Sequence, residues 1–178
     1  RLRQFHQVGV EYLGQQNHIQ DLEILLIAEK FLNELGIRKK VKLELNSLGN
    51  EKTRKEYNKA LTDFLSQRVN ELSNISKERL KKNPMRVLDS KDPQDKVVVK
   101  ESPSILEFLD SESKDFFNKL TSGLDDLKIS YELNRFLVRG LDYYNHTAFE
   151  YITTEKKSQN ALLAGGRYNG LVSNLGGG

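Results

Sequence analysis

The sequence contains no cysteine. Disulfides, cysteine-based zinc sites and thiol catalysis are therefore excluded. Histidine is scarce: His6, His18 and His146 are the three among 178 residues, and none stands at metal-ligand spacing. No apolar run is long enough to cross a bilayer, and no signal-peptide pattern opens the chain, so a soluble protein of the cytoplasm is expected. A net charge of +3 is too small to argue for nucleic acid by itself. What is present suffices for a core: 37% of residues are hydrophobic and 30% charged, which also excludes a disordered chain. The length suits one domain, or a small domain with an insert. The chain starts at Arg1 directly in a strand-like pattern and stops at Gly176-Gly177-Gly178, so an internal piece of a longer protein is expected.

Residues 5–13 alternate, with Phe5, Gln7 and Gly9 on one side and His6, Val8, Val10 and Tyr12 on the other, which predicts a strand. Ile19, Leu22, Leu25, Leu26, Phe31, Leu32 and Leu35 recur at helical spacing, and Gly36 stops that helix. Val41 to Leu45 alternates again and predicts a second strand. From residue 50 to 128 the pattern is helical and polar. Tyr57, Leu61, Phe64, Leu65 and Leu72 mark one helix with a charged outer face. Ser76 is a candidate cap for a short helix that Asn83-Pro84 breaks, and 89–96, charged and holding Pro93, reads as a loop. Ser102-Pro103 and Ser111 are candidate starts for two more helices. Strand signals return at Ile129–Leu133, Thr147–Thr153 and Ala161–Ala164. There is no βαβ rhythm with Gly-rich phosphate loops, which argues against Rossmann and P-loop folds. The prediction is an α+β fold: a mainly antiparallel sheet with flanking helices, built from 1–49 and 129–178, and a helical insertion at 50–128.

Three clusters can carry chemistry. Gln7, Gly9 and Glu11 share a face of the first predicted strand, as a polar pocket floor or as a solvated face. Arg139-Gly140-Leu141-Asp142-Tyr143-Tyr144 packs a cation, a carboxylate and two phenols into six residues. An arginine can grip phosphate or carboxylate with two parallel hydrogen bonds; the same stretch also suits an aromatic edge turn. In Ala164-Gly165-Gly166-Arg167-Tyr168-Asn169-Gly170-Leu171, paired glycines let backbone approach a ligand closely, or simply form a loop. The basic run Lys77, Arg79, Lys81, Lys82, Arg86 suits either RNA phosphates or a solvated helix face.

Taken together, these segments resemble the class II histidyl-tRNA synthetases. Arg1 to Glu11 resembles the second half of that family's motif 2. Arg139 to Tyr144 resembles its first histidine-specific signature, and Ala164 to Val172 its second. The likeness takes in Leu43 to Gly49 and Asn83 to Lys91, and so extends over essentially the whole chain. It implies activation of histidine with ATP to histidyl-adenylate, transfer to a histidine tRNA, accompanying Mg2+, and a homodimeric parent enzyme. It implies Arg139 as the catalytic arginine on the α-phosphate and the histidine carboxylate. Glu11 and Tyr144 would read the imidazole nitrogens, Gln7 would hold the main-chain end of the amino acid, and Tyr143 and Tyr168 would line the pocket. Arg1 would stand by ATP, and Lys77, Arg79, Lys81 and Lys82 would meet tRNA from the insertion. Asn169 departs from the family's usual Asp. Motif 1, the first strand of motif 2, motif 3 and the anticodon-binding domain have no counterpart here, so the fragment alone is expected to lack a complete ATP site. The alternative is the synthetase-like regulatory subunit of ATP phosphoribosyltransferase. It generally lacks both the helical insert and an intact Arg-Gly-Leu-Asp-Tyr-Tyr, which this sequence has.

Overall fold

A computed structural model of the chain describes residues 4–140, 143–155 and 161–177. Helix α1 (His18–Glu34) starts at a capping box in which the Asn17 side chain and Gln20 satisfy backbone N–H groups left open at the helix end. It stops before Gly36, whose φ of +68° favours glycine. Strands β1 (Val41–Ser47), β2 (Tyr131–Leu133), β3 (Asn145–Thr153) and β4 (Ala161–Arg167) form one sheet in the order β2-β1-β3-β4. β1 runs parallel to β2, whereas the β1–β3 and β3–β4 pairs are antiparallel. The sheet is thus mainly antiparallel and the class α+β, as predicted.

Alternation along the strands turns Val41, Leu43, Leu45, Phe149 and Tyr151 to one face, where Leu25, Ala28 and Leu32 of α1 cover them. Helix α6 (Ser111–Asp126) lies there too, contributing Phe117, Leu120 and Leu124. Ala148 points to the opposite face and joins Leu48 and Leu137 in a second core. That core is completed by α2 (Glu51–Gln67), α4 (Met85–Leu88) and α5 (Pro93–Lys100), through Tyr57, Leu61, Leu65, Val87, Leu88, Val98 and Val99. At about 1.5–3 kcal/mol for each large apolar side chain buried, both faces of the sheet need their helices. The stretch 50–128 is therefore shared, with α6 on the α1 side and α2, α4 and α5 on the other.

Helix α3 (Asn74–Lys82) is tied in by a polar hub. Asp95, in the first turn of α5, is fully buried. It accepts hydrogen bonds from the Ser73 N–H (2.7 Å) and from the hydroxyls of Ser73 (2.8 Å), Ser76 (2.6 Å) and Ser90 (2.5 Å). Burial opposes ionisation of this carboxyl, but the donors outweigh it and hold its pKa below the ordinary value.

Several local expectations are corrected. Residues 5–13 form no strand: among the described residues nothing pairs with them, and Phe5, Val8, Val10 and Leu13 are exposed. Alternation describes sidedness, but a strand needs a neighbour to accept its backbone hydrogen bonds. Pro93 does not keep 89–96 in a loop; it occupies the first turn of α5, where its missing N–H costs nothing, behind the Asp92 cap. The cap of α3 is Ser73 rather than Ser76, and that of α6 is Asp110 rather than Ser111. Ser104, not Ser102, caps Ile105–Phe108, which is a 3-10 turn. A short helix α7 (Leu171–Asn174) follows β4.

Candidate functional site

The first signature leads into β3 on the sheet face that carries Ala148 and Glu150. Arg139 Nη1 donates to Glu150 Oε1 at 2.7 Å, and its guanidinium carbon stands 5.4 Å from the Tyr144 ring centroid. Burial raises the Glu150 pKa above the ordinary carboxylate value, and the Arg139 charge opposes that rise. Glu44 lies directly across the β1–β3 ladder from Glu150 and adds repulsion, so Arg139 faces concentrated negative charge.

The Tyr144 ring beside this cation belongs to a cluster of three phenols. The Tyr143 and Tyr144 ring centroids are 4.7 Å apart, and Tyr168 stands 6.0 Å and 6.2 Å from them. Glu11 belongs to the same group. Burial, followed by a hydrogen bond to the Glu11 carboxylate, pushes the Tyr168 pKa up to about 12. Tyr143 is also raised, first by burial and then by its hydrogen bond with Tyr144; Arg139 opposes this, and the Glu11 charge adds to it. Arg139 and the three phenols thus come together from separate stretches of sequence, and the Glu11 charge acts on Tyr143 and Tyr168. The arrangement joins a fixed cation to hydroxyl and carboxylate groups able to hydrogen-bond a small polar ring. Gln7 lies on the exposed stretch before α1, and no contact ties it to the cluster among the described residues. Arg1 lies outside the described residues, as do Leu141 and Asp142 of the first signature.

The two glycines of the second signature have separate tasks. A Cβ on Gly165 would stand 2.5 Å from Phe149 Cζ on one face. On Gly166 it would stand 2.6 Å from the Thr147 carbonyl oxygen and 2.9 Å from Tyr144 Cδ1 on the other. Gly166 therefore makes room for the Tyr144 ring against backbone that cannot yield. Gly166→Ala should destabilise the chain by about 1–3 kcal/mol through overpacking. An unaltered denaturation midpoint would show that β4 gives way freely.

A cavity of about 430 Å³ adjoins Arg139 and Tyr144 on the helical side, with Arg54, Lys55, Lys82 and one carboxylate, Glu51, in its walls. Lys82 links it to the basic run. Within that run Lys81 pairs with Glu78 at 2.9 Å, Arg79 Nη1 donates to the Arg86 carbonyl at 3.0 Å, and Lys77 is half-buried. Arg86, although exposed, donates to the Gly140 carbonyl at 2.9 Å. Sequence reasoning missed Glu150 as the partner of Arg139. Its signal was a lone carboxylate in a strand otherwise rich in β-branched and aromatic residues. Among the described residues no group of three or more His, Asp or Glu could hold a metal. No helix in the described residues is long and apolar enough to cross a membrane.

The sheet is thus mainly antiparallel, with one face charged and phenol-lined and with helices inserted between its strands. The family model for histidyl-tRNA synthetase matches residues 1–178, and the chain belongs to that family. It is 48% identical to the histidine–tRNA ligase of Rhodospirillum rubrum over 177 residues, 99% of this chain and 43% of that protein. The histidine–tRNA ligase of Streptococcus thermophilus is 51% identical over 177 residues, 99% of this chain and 41% of that protein. The structure of apo histidyl-tRNA synthetase from S. aureus is similar with a TM-score of 0.70 at 36% identity, over 93% of this chain and 40% of that one. The chain thus spans less than half the length of the relatives it matches.

Proposed function

We propose that the chain is the histidine-recognising part of a cytoplasmic, homodimeric histidine–tRNA ligase. In the first step a histidine carboxylate oxygen attacks the α-phosphorus of ATP and pyrophosphate leaves. In the second the terminal hydroxyl of the tRNA attacks the adenylate carbonyl and AMP leaves. The observation that carries this reading is the convergence of Arg139, Tyr143, Tyr144, Tyr168 and Glu11. Neutral imidazole has one donor and one acceptor nitrogen. Glu11 accepts from the first, the Tyr144 hydroxyl serves the second, and Tyr143 and Tyr168 hold these two in place. Arg139 offsets the charge that builds on the α-phosphate. Gln7 takes the main-chain end of histidine, and Arg1 stands by ATP. The regulatory-subunit reading is weaker, since the relatives at 48% and 51% identity are ligases. The direct test is histidine-dependent ATP–pyrophosphate exchange by full-length protein carrying these 178 residues. Exchange with no requirement for histidine, or no exchange, overturns the reading.

In the same reading 50–128 is the insertion, and Lys77, Arg79, Lys81 and Lys82 face the tRNA. Phosphate contacts give salt-sensitive affinity and little base specificity. Replacing Lys77, Lys81 and Lys82 by Gln should weaken aminoacylation and lower its salt slope by about 2–3, while pyrophosphate exchange is retained. Arg79 is left in place because its loss would also release Arg86. An unaltered salt slope reduces the run to a solvated helix face.

A further inference from the structure

Two arginines of the helical stretch reach backbone beside Arg139 and at Tyr144. Arg86, in α4, donates from Nη1 to the Gly140 carbonyl oxygen at 2.9 Å. Arg54, in the first turn of α2, donates from Nη1 to the Tyr144 carbonyl oxygen at 2.8 Å. One acceptor follows Arg139 directly, and the other belongs to Tyr144 itself. Both arginines are set from behind. Arg79 props the Arg86 carbonyl at 3.0 Å, and the Asn83 side chain accepts from the Met85 N–H at 3.1 Å at the start of α4. Asn50 caps α2 by accepting from the Thr53 N–H at 2.9 Å, which fixes the turn from which Arg54 projects. Hydrogen bonds from a guanidinium to a carbonyl are charge-assisted and directional, so they hold a backbone position better than neutral ones.

We infer that Arg54 and Arg86 are positioning residues: from α2 and α4 they hold the Gly140 and Tyr144 carbonyls and so set the aim of Arg139 and Tyr144. The helical stretch then serves the first chemical step as well as the RNA. The catalytic consequence rests on the ligase reading; the clamp itself does not.

The two can be tested apart. In the 178-residue chain, hydrogen–deuterium exchange is followed in peptides covering 136–147, with β1 and α6 as internal references. Arg54→Ala and Arg86→Ala should each raise exchange in these peptides about tenfold and leave the references unchanged, because the openings that expose amides are local. Arg54→Lys and Arg86→Lys, which keep a cationic donor, should restore about half of the protection or more. Unchanged exchange in these peptides overturns the clamp. In full-length protein the two contacts should separate kinetically, since small misplacements of reacting groups cost large factors. Arg86→Ala, next to Arg139, should lower kcat for pyrophosphate exchange about tenfold at a near-constant histidine KM. Arg54→Ala, at Tyr144, should raise histidine KM about tenfold. Equal kcat losses that follow thermal stability, without rescue by lysine, would reduce both residues to structural supports and overturn the inference. Wild-type protein without histidine-dependent exchange would sink the ligase reading, and the hydrogen-exchange arm would still decide the clamp.

Discussion

On the ligase reading proposed above, replacing Arg139 by alanine in full-length protein should slow histidine-dependent pyrophosphate exchange by about a hundredfold or more, a loss of about 3 kcal/mol of transition-state stabilisation. Histidine binding should weaken far less. Glu150, 2.7 Å from Nη1, and the Tyr144 ring already fix the guanidinium in place, so it meets the growing charge without reorganising. The same substitution has a second effect that must be separated from the first. Burial already raises the Glu150 pKa, and Arg139 is what opposes the rise. An acid whose folded pKa is raised contributes stability below its ordinary value and loses that contribution as pH rises through the folded pKa. Without Arg139 the folded value climbs further, so Arg139→Ala should be destabilised increasingly from about pH 4 upward. Adding Glu150→Gln removes this titration. If Arg139 acts on the substrate, the double variant regains stability and stays slow. Recovery of exchange in the double variant, or a rate within about threefold of wild type in the single one, would make Arg139 merely a counter-charge for Glu150.

What could be read from the sequence follows from what a linear pattern can encode. Periodicity with clear stops located α1, β1 and β3, because apolar spacing and Gly36 act within a few residues. The same rule read residues 5–13 as a strand, since alternation carries no information about a pairing partner. In α6 the inward set Phe117, Leu120 and Leu124 was legible, but periodicity names a face and not the core it meets. That core proved to be the one under α1. Charge was the least legible feature. Arg86 looked like one more cation in a basic run, and only the fold brings it to Gly140, 54 positions away. Asp95 and Pro93 looked like loop residues because their charge and ring are usual in loops. Placed at a helix start they do the opposite and build structure. Of the candidate site, Arg139, Tyr143, Tyr144 and Tyr168 stood out as signature residues. Glu11 was joined to them only through the family resemblance, because its own stretch reads equally well as a solvated face.

Asp95 is where the largest loss of stability is expected. Asp95→Ala should cost about 3–4 kcal/mol, because one removal strands four donors in the interior and each unsatisfied buried group costs about 1–3 kcal/mol before relaxation. Serine hydroxyls can rotate toward other acceptors, which keeps the total below a simple sum. The Ser73 N–H cannot, so part of the cost is unavoidable. Asp95→Asn retains an acceptor for that N–H, and a hydroxyl can turn to accept from its amide, so about half the loss is expected. The pH dependence distinguishes the charge from the shape. The folded Asp95 pKa is depressed, so its contribution is complete above the ordinary aspartate value near about 3.9 and disappears as pH falls through the folded one. Wild-type chain should therefore lose stability steeply below about pH 4, and Asp95→Asn should lose less over the same interval. The loss should centre on α3 and α5, since Ser73, Ser76 and Ser90 bind them through this carboxylate. Chemical denaturation across pH, with hydrogen exchange resolved by helix, measures both quantities. A midpoint for Asp95→Ala that matches wild type, or parallel acid profiles for wild type and Asp95→Asn, would show that the second core holds these helices without the hub.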